Sequence, residues 1–158
     1  MSWRRSLTLD ARARRTEAGL RVDVTLTVGN VGHRVPTGFP DRQLILAVSA
    51  DAGEGGALQG PVLPDAVGGQ LAGKPGRLYA KLLRDFDGVG PVPMWRADPG
   101  GVVDTRLLPG TSDANAWVFP PAVRSVRVRL LHRRFWQAVA DEKRWTGNET
   151  VIAERTVP

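Results

Sequence analysis

Residues 20–28 read LRVDVTLTV, with an apolar side chain at every second position. This period is typical of a β-strand with one buried face, because successive side chains of a strand point to opposite faces. The predicted core face consists of Leu20, Val22, Val24, Leu26 and Val28. Residues 6–13 alternate in the same way and are separated from this strand by the turn-like TEAG at 16–19. The two segments therefore predict an antiparallel hairpin.

The segment that follows, residues 44–48, is a continuous apolar run, LILAV. Such a run predicts a central strand that is covered on both faces. Further short strands are predicted at residues 77–86, 102–108, 115–119, 123–131 and 151–157. For residues 77–86 an amphipathic helix is the alternative, since the leucines also fit helical spacing. Residues 61–76, rich in Pro and Gly, predict a long irregular connection.

A helix is predicted only near the carboxyl end, at residues 135–145. Phe135 and Val139 form its apolar stripe, with Trp136 and Ala140 beside them. Many short strands between turn signals, with one short helix, favour an antiparallel β-sandwich. The chain has 158 residues and contains no internal repeat or linker, so residues 1–158 are predicted to form a single domain.

The composition excludes several kinds of site. The chain contains no Cys, which excludes disulfides, thiolate catalysis, cysteine-ligated zinc and covalent c-type haem attachment. The net charge is +6, but no recognition helix or aromatic-interleaved basic motif accompanies it, so no nucleic-acid partner is expected. No run approaches the roughly 18 apolar residues of a membrane span. The start of the chain also lacks the apolar core of an export signal.

The loop between the two central strands, residues 30–40, reads NVGHRVPTGFP. Its glycines and prolines predict a rigid, irregular loop that presents His33, because Pro sets φ and Gly permits positive φ. The alternative is that His33 only hydrogen-bonds the backbone of its own loop. The second histidine, His132, follows Val128 and Leu130 on the inward period of its strand. It is therefore predicted to be a histidine of the core or its edge.

Other possible sites have weaker support. A calcium site is one possibility, with the carboxylates of Asp85, Asp87 and Asp104 as its ligands. A turn is the simpler interpretation of the DFDG sequence at 85–88. The serines lack the strand-to-helix elbow of a hydrolase nucleophile. Tryptophans can form a sugar-stacking platform, although in a sandwich they usually belong to the core. The chain has five of them, at Trp3, Trp95, Trp117, Trp136 and Trp145.

The segment GHRVPTGFP at 32–40, followed by Arg42-Gln43-Leu44, resembles a motif of a known family. The motif, GH-x-x-PTG-x-P-x-R, lies in the non-haem C-terminal β domain of bacterial multihaem c-type cytochromes. The similarity continues through Tyr79-Ala80-Lys81 and Leu83, the segment VDTRL at 103–107 with its following proline, and residues 130–145. It covers most of the chain and implies an immunoglobulin-like sandwich.

This chain departs from the family because it has no C-x-x-C-H haem attachment. The resemblance therefore implies an excised domain, a separately encoded partner of a cytochrome, or a haem-free relative. It also implies that His33 supplies a distal imidazole to the iron of a neighbouring haem c. Arg34 and Arg42 would then pair with haem propionates. For Asp104 and Arg106, an internal salt bridge is favoured.

The resulting hypothesis is a non-enzymatic, haem-free module of a multihaem c-type cytochrome system. The module would pack on, or ligate, the haem of a partner domain or chain. The resemblance places such a module in the periplasm or outside the cell. The alternative is an extracytoplasmic adhesion module that binds carbohydrate or protein through exposed Trp and Arg residues, and a hydrolase has the least support.

Overall fold

The computed structural model describes residues 6–51 and 56–158. Strands dominate it, and their bounds are β1 Leu7–Thr16, β2 Gly19–Val28, β3 Gln43–Ala50, β4 Gly76–Leu83, β5 Val102–Asp104, β6 Ser112–Phe119, β7 Val126–Arg133 and β8 Glu149–Val157. Between β7 and β8 lies the helix α1, Gln137–Lys143. Short 3-10 turns occur at Asp65–Val67, Gly69–Leu71 and Met94–Arg96. Among the described residues, no helix combines the length and the apolar character needed to cross a membrane.

The strands form two antiparallel sheets. One has the order β1-β2-β6 and the other the order β5-β4-β3-β7-β8. Apolar side chains from both sheets form one shared core, so the chain is a mostly antiparallel β-sandwich with one short helix. This confirms the predicted fold class. Residues 77–86 contain a strand rather than a helix, as we expected.

The predicted hairpin is β1 paired with β2, in a register that runs from Leu7 opposite Val28 to Thr16 opposite Gly19. The apolar side chains of β2 that were predicted to face inward are all buried. Gly19 has a φ of 135°, and a side chain there would collide with the backbone carbonyl of Phe119 on the neighbouring strand. Glycine at the start of β2 therefore permits the close approach of β6.

Strand β3 is buried on both faces, as its continuous apolar run predicted. Leu44, Leu46 and Val48 face the three-stranded sheet across the shared core. Ile45 and Ala47 face the other way, into a second apolar cluster. Leu78, Ala80 and Leu131 of the neighbouring strands belong to the same cluster. Leu63 and Val67 of the irregular connection and Trp136, just before the helix, cover it. The Pro- and Gly-rich connection thus covers the outer face of the larger sheet.

Several elements differ from their predicted bounds, and β4, for example, ends at Leu83 rather than at residue 86. The strand expected at 102–108 ends at Asp104, because the Asp104 carboxylate accepts the backbone N–H of Arg106 and turns the chain. The helix expected at 135–145 spans Gln137–Lys143, since Trp136 is extended and Arg144 is left-handed, with a φ of 54°. The burial pattern also differs from the predicted one: Trp136, just before the helix, and Ala140 are buried, whereas the predicted stripe residues Phe135 and Val139 are only half-buried.

Candidate functional site: the His33 loop and a neighbouring aromatic groove

The loop that joins β2 to β3 is anchored to the sandwich by backbone hydrogen bonds. Val35 and Leu107 exchange two of them, with both N–O distances at 2.9 Å, and both side chains are buried. Gly29 donates to Ser6 O at 2.9 Å and accepts from the N–H of Gly110 at 3.1 Å. These hydrogen bonds hold the loop at its entry and in its middle. They agree with the rigid loop that its glycines and prolines predict.

His33 is exposed at the surface of this anchored loop. Its Nδ1 lies 3.2 Å from the carbonyl oxygen of Arg34. A carbonyl can only accept, so this contact requires the proton on Nδ1 and leaves the lone pair on Nε2. Within the described part of the chain, Nε2 has no hydrogen-bond partner. The imidazole is thus oriented by its own backbone through one nitrogen and accessible at the other, and its role as a ligand stays a prediction.

The two arginines of the predicted site are exposed, and both also contact the loop region. Arg34 Nη1 lies 3.9 Å from Asp104 Oδ2. Arg42 Nη1 donates to the carbonyl oxygen of Thr37 at 3.3 Å, across the turn at Gly38. Each guanidinium therefore keeps most of its donors directed to solvent, and each can pair with an anion from outside.

Asp104 and Arg106 form the internal salt bridge that we favoured. Arg106 Nε donates to Oδ1 at 2.9 Å and Nη2 donates to Oδ2 at 2.7 Å, a bidentate arrangement. Hydrogen bonding from Arg106 outweighs partial burial and lowers the pKa of Asp104 to about 2. The charge of Arg34 acts in the same direction. This pair stabilises the segment that carries Leu107, the anchor of the His33 loop.

His132 lies on β7 opposite Leu44, at the end of the shared core, and is half-buried. Its burial lowers its pKa, and the nearby charges of Arg42 and Arg134 lower it further. A half-buried position at the end of the inward face agrees with the predicted core-edge histidine. Arg42 thus contacts the His33 loop, and its charge also acts on the second histidine.

The aspartates at 85–87 build a turn. Asp85 Oδ1 accepts the N–H groups of Asp87 and Val89 at 3.1 and 2.9 Å, and Gly88 N–H donates to the Asp85 carbonyl. The first carboxylate is therefore committed to its own backbone. Across residues 6–51 and 56–158, no three His, Asp or Glu side chains form a group suited to a metal ion.

A groove of about 600 Å³ opens beside the end of the His33 loop. Its aromatic lining comes from four separate segments: Phe39, Trp95, Phe135 with Trp136, and Trp145. Trp136 is buried beneath it, whereas Trp95 is 85% exposed, Phe39 59% and Trp145 48%. The sequence did not predict this convergence. The flanking prolines of PVPMW at 91–95 are the only local signal for it, because they favour an exposed turn.

The tryptophans thus divide into two groups. Trp117 is fully buried in the core, as tryptophans in a sandwich usually are. Trp95, Trp136 and Trp145 meet at the groove. Trp3 lies outside the described residues.

No family model and no curated protein matches this sequence. A solved structure is similar: the crystal structure of a penta-heme cytochrome c552 from Thermochromatium tepidum, with a TM-score of 0.73 and 24% sequence identity. The alignment covers 96% of this chain and 39% of the cytochrome chain. At this identity the likeness shows the fold, and this chain spans less than half the length of that protein.

The likeness extends over nearly the whole of this chain, although the chain contains no Cys. Covalent haem c attachment requires the thiols of a C-x-x-C-H motif. This chain therefore shares the fold of part of a multihaem cytochrome and attaches no haem c covalently.

Proposed function

We propose that this chain is a haem-free accessory module of a multihaem c-type cytochrome system. The fold likeness to a penta-heme cytochrome over 96% of the chain, in a sequence without Cys, carries this proposal. Because this chain attaches no haem c covalently, we propose that it acts by positioning the haem of another domain or chain. The partner in this proposal is a multihaem c-type cytochrome.

His33 is the residue we propose as the axial ligand. Iron ligation by histidine needs an unprotonated ring nitrogen, and the other nitrogen commonly donates to a carbonyl that fixes the ring. His33 has this arrangement, with Nδ1 facing Arg34 O and no hydrogen-bond partner for Nε2 among the described residues. The loop is anchored at Val35, two residues away, which reduces the ordering cost of ligation.

Arg34 and Arg42 are proposed to bind the propionates of the same haem. Both are exposed and lie in or directly after the His33 loop. Asp104 is shared between Arg34 and the tighter bidentate partner Arg106, so Arg34 is free to exchange a 3.9 Å contact for an outside carboxylate. A guanidinium fork matches carboxylate geometry.

Further parts of the proposal follow from the same comparison. The strand order β1-β2-β6 against β5-β4-β3-β7-β8 supports an immunoglobulin-like arrangement, in which β3, β7 and β8 correspond to the C, F and G strands. We propose one domain, without enzymatic activity, in the periplasm or outside the cell. The location rests on the usual site of c-type cytochromes.

A haem c peptide that carries its own proximal histidine and an open sixth position is a direct probe of His33. Titration with the protein is expected to shift the Soret band to that of a six-coordinate, low-spin haem. The change His33→Ala should raise the protein concentration needed for half of this shift by at least tenfold. His132→Gln, which removes the other histidine, is the matched control and should leave the titration unchanged.

Equal titrations of the wild-type protein and His33→Ala would show that the imidazole does not ligate haem. Circular dichroism of each variant verifies that the sandwich is intact. Arg34→Gln and Arg42→Gln should each weaken the titration less than His33→Ala, because each removes one ion pair rather than a coordinate bond.

A further inference from the structure

The aromatic groove exposes the side chains of Phe39, Trp95 and Trp145 to solvent. Trp95 lies in the 3-10 turn Met94–Arg96, where Arg96 N–H donates to the Pro93 carbonyl at 2.9 Å. Trp145 is supported by Phe135, with ring centroids 4.6 Å apart and planes tilted by 52°. Exposed aromatic side chains in a concave site mark a surface for recognition rather than for stability.

The charged residues around these rings balance one another. Asp41 and Glu142 contribute carboxylates, and Arg96 and Lys143 contribute cations. Arg96 has only a long contact of 3.9 Å with Asp85, and Lys143 pairs with its neighbour Glu142 at 3.0 Å. The lining therefore has two groups of each sign and favours neither an anion nor a cation.

Of the charged side chains that line the groove, Asp41 is the least satisfied by its surroundings. Across residues 6–51 and 56–158, its carboxylate has no hydrogen bond or ion pair. Partial burial raises the pKa of Asp41, in agreement with a carboxylate that has lost water without gaining a donor. A ligand with a hydroxyl or N–H donor at this end of the groove would supply the missing hydrogen bond.

We propose that this groove binds a neutral oligosaccharide. A pyranose ring has an apolar face of C–H groups that packs on the electron-rich face of an indole such as Trp95. Its hydroxyls donate to the carboxylates of Asp41 and Glu142 and accept from Arg96 and Lys143. The two carboxylates would repel an anionic ligand, and the two cations would repel a cationic ligand. A neutral ligand with both donors and acceptors experiences neither repulsion.

This site is independent of haem ligation, because none of its lining residues is His33, Arg34 or Arg42. The probes are the neutral hexaoses of the cello-, chito-, xylo- and malto- series, measured by isothermal titration calorimetry. At least one series should bind, and Trp95→Ala should weaken its binding at least tenfold. Asp41→Asn should weaken it by a smaller factor. Phe86→Ala is the matched control, since Phe86 is 80% exposed but does not line the groove.

Absence of binding by all four series overturns the proposal, as does binding that Trp95→Ala leaves unchanged. The proposal is also overturned if no hexaose binds and Trp95→Ala weakens association with a multihaem cytochrome. That result would identify the groove as a protein interface. His33→Ala should leave hexaose binding intact. Failure of the oligosaccharide proposal is therefore distinguishable from failure of the proposed haem module.

Discussion

Trp117 and Trp95 are the same residue type in opposite surroundings. Trp117 has no exposed surface, and its Nε1–H donates to the carbonyl oxygen of Pro61 at 2.8 Å. Trp95 is 85% exposed on a short 3-10 turn. The first ring is covered because the two sheets close over it, whereas the second lies beyond the edge of both cores. Burial of the first stabilises the fold, and exposure of the second leaves a surface for a ligand.

The core and the groove also differ in whether two of their polar groups have hydrogen-bond partners. In the core, the hydroxyl of Tyr79 donates to Asp113 Oδ2 at 2.7 Å, so its only polar group is satisfied. In the groove, the Asp41 carboxylate has no such partner in the described part of the chain. Most buried polar groups in proteins are hydrogen-bonded, and the open acceptor positions of the Asp41 carboxylate are the ones that the proposed oligosaccharide would fill.

The largest effect is expected for Trp117→Ala. The substitution removes a fully buried indole and leaves a cavity between the sheets, so the free energy of unfolding should fall by about 3–5 kcal/mol. Chemical denaturation followed by circular dichroism measures the loss. Trp117→Phe, which retains a ring and loses the hydrogen bond to Pro61, should cost less. A loss below about 1 kcal/mol for the alanine variant would contradict the assignment of Trp117 to the core.

Tyr79→Phe should lower the free energy of unfolding by about 1–2 kcal/mol, because it removes a buried hydrogen bond to a carboxylate. Burial, with the neighbouring Asp113, raises the pKa of Tyr79 above its usual 10.0. The folded state thus keeps the phenol protonated at a pH where the unfolded state releases the proton. Stability should fall as the pH rises above 10.0, and less so in Tyr79→Phe.

This behaviour has a direct optical readout, because Tyr79 is the single tyrosine of the chain. Absorbance of the phenolate near 295 nm should appear together with unfolding rather than before it. Ionisation of Tyr79 in protein that still has folded circular dichroism would show that the hydroxyl is open to solvent.

Asp104→Asn should have a smaller, pH-dependent effect. The pKa of Asp104 lies at about 2 in the folded protein, below the usual 3.8. Its ion pair therefore contributes stability above pH 3.8, and that contribution is lost as the pH falls towards 2. At neutral pH the substitution should cost about 0.5–1 kcal/mol, since the pair is near the surface.

Denaturation curves at a series of pH values measure this difference. Asp104→Asn should flatten the decline of stability between pH 3.8 and about 2. Parallel pH profiles for wild type and Asp104→Asn would exclude the ion pair as the cause.

The smallest effect on stability is expected for Trp95→Ala. Substitution of an exposed side chain without a core contact usually changes the free energy of unfolding by less than about 0.5 kcal/mol. The comparison with Trp117→Ala in the same denaturation series therefore gives the sharpest contrast between the two rings. A loss above about 2 kcal/mol would mean that Trp95 supports the fold, and its use as a binding residue would have to be reconsidered.

Much of the sandwich could be predicted from the sequence. The alternation at 20–28 placed the buried face of β2 correctly, and the apolar run at 44–48 identified the strand with two covered faces. The errors concerned the ends of elements and the buried side of the helix: β5 stopped at Asp104, α1 was shorter than expected, and Ala140 rather than Val139 is buried. Side-chain hydrogen bonds and a left-handed residue set these ends, and neither changes the hydrophobic period.

For the candidate site, local sequence predicted the rigid loop around His33, because Gly and Pro act on their own backbone. The anchoring of this loop depends on the backbone hydrogen bonds of Val35 with Leu107, more than 70 residues away, which no local pattern encodes. The groove depends even more on tertiary structure, since Phe39, Trp95 and Trp145 come from distant segments. Periodicity determines which face of a strand is buried, whereas convergence of distant side chains depends on how the segments pack.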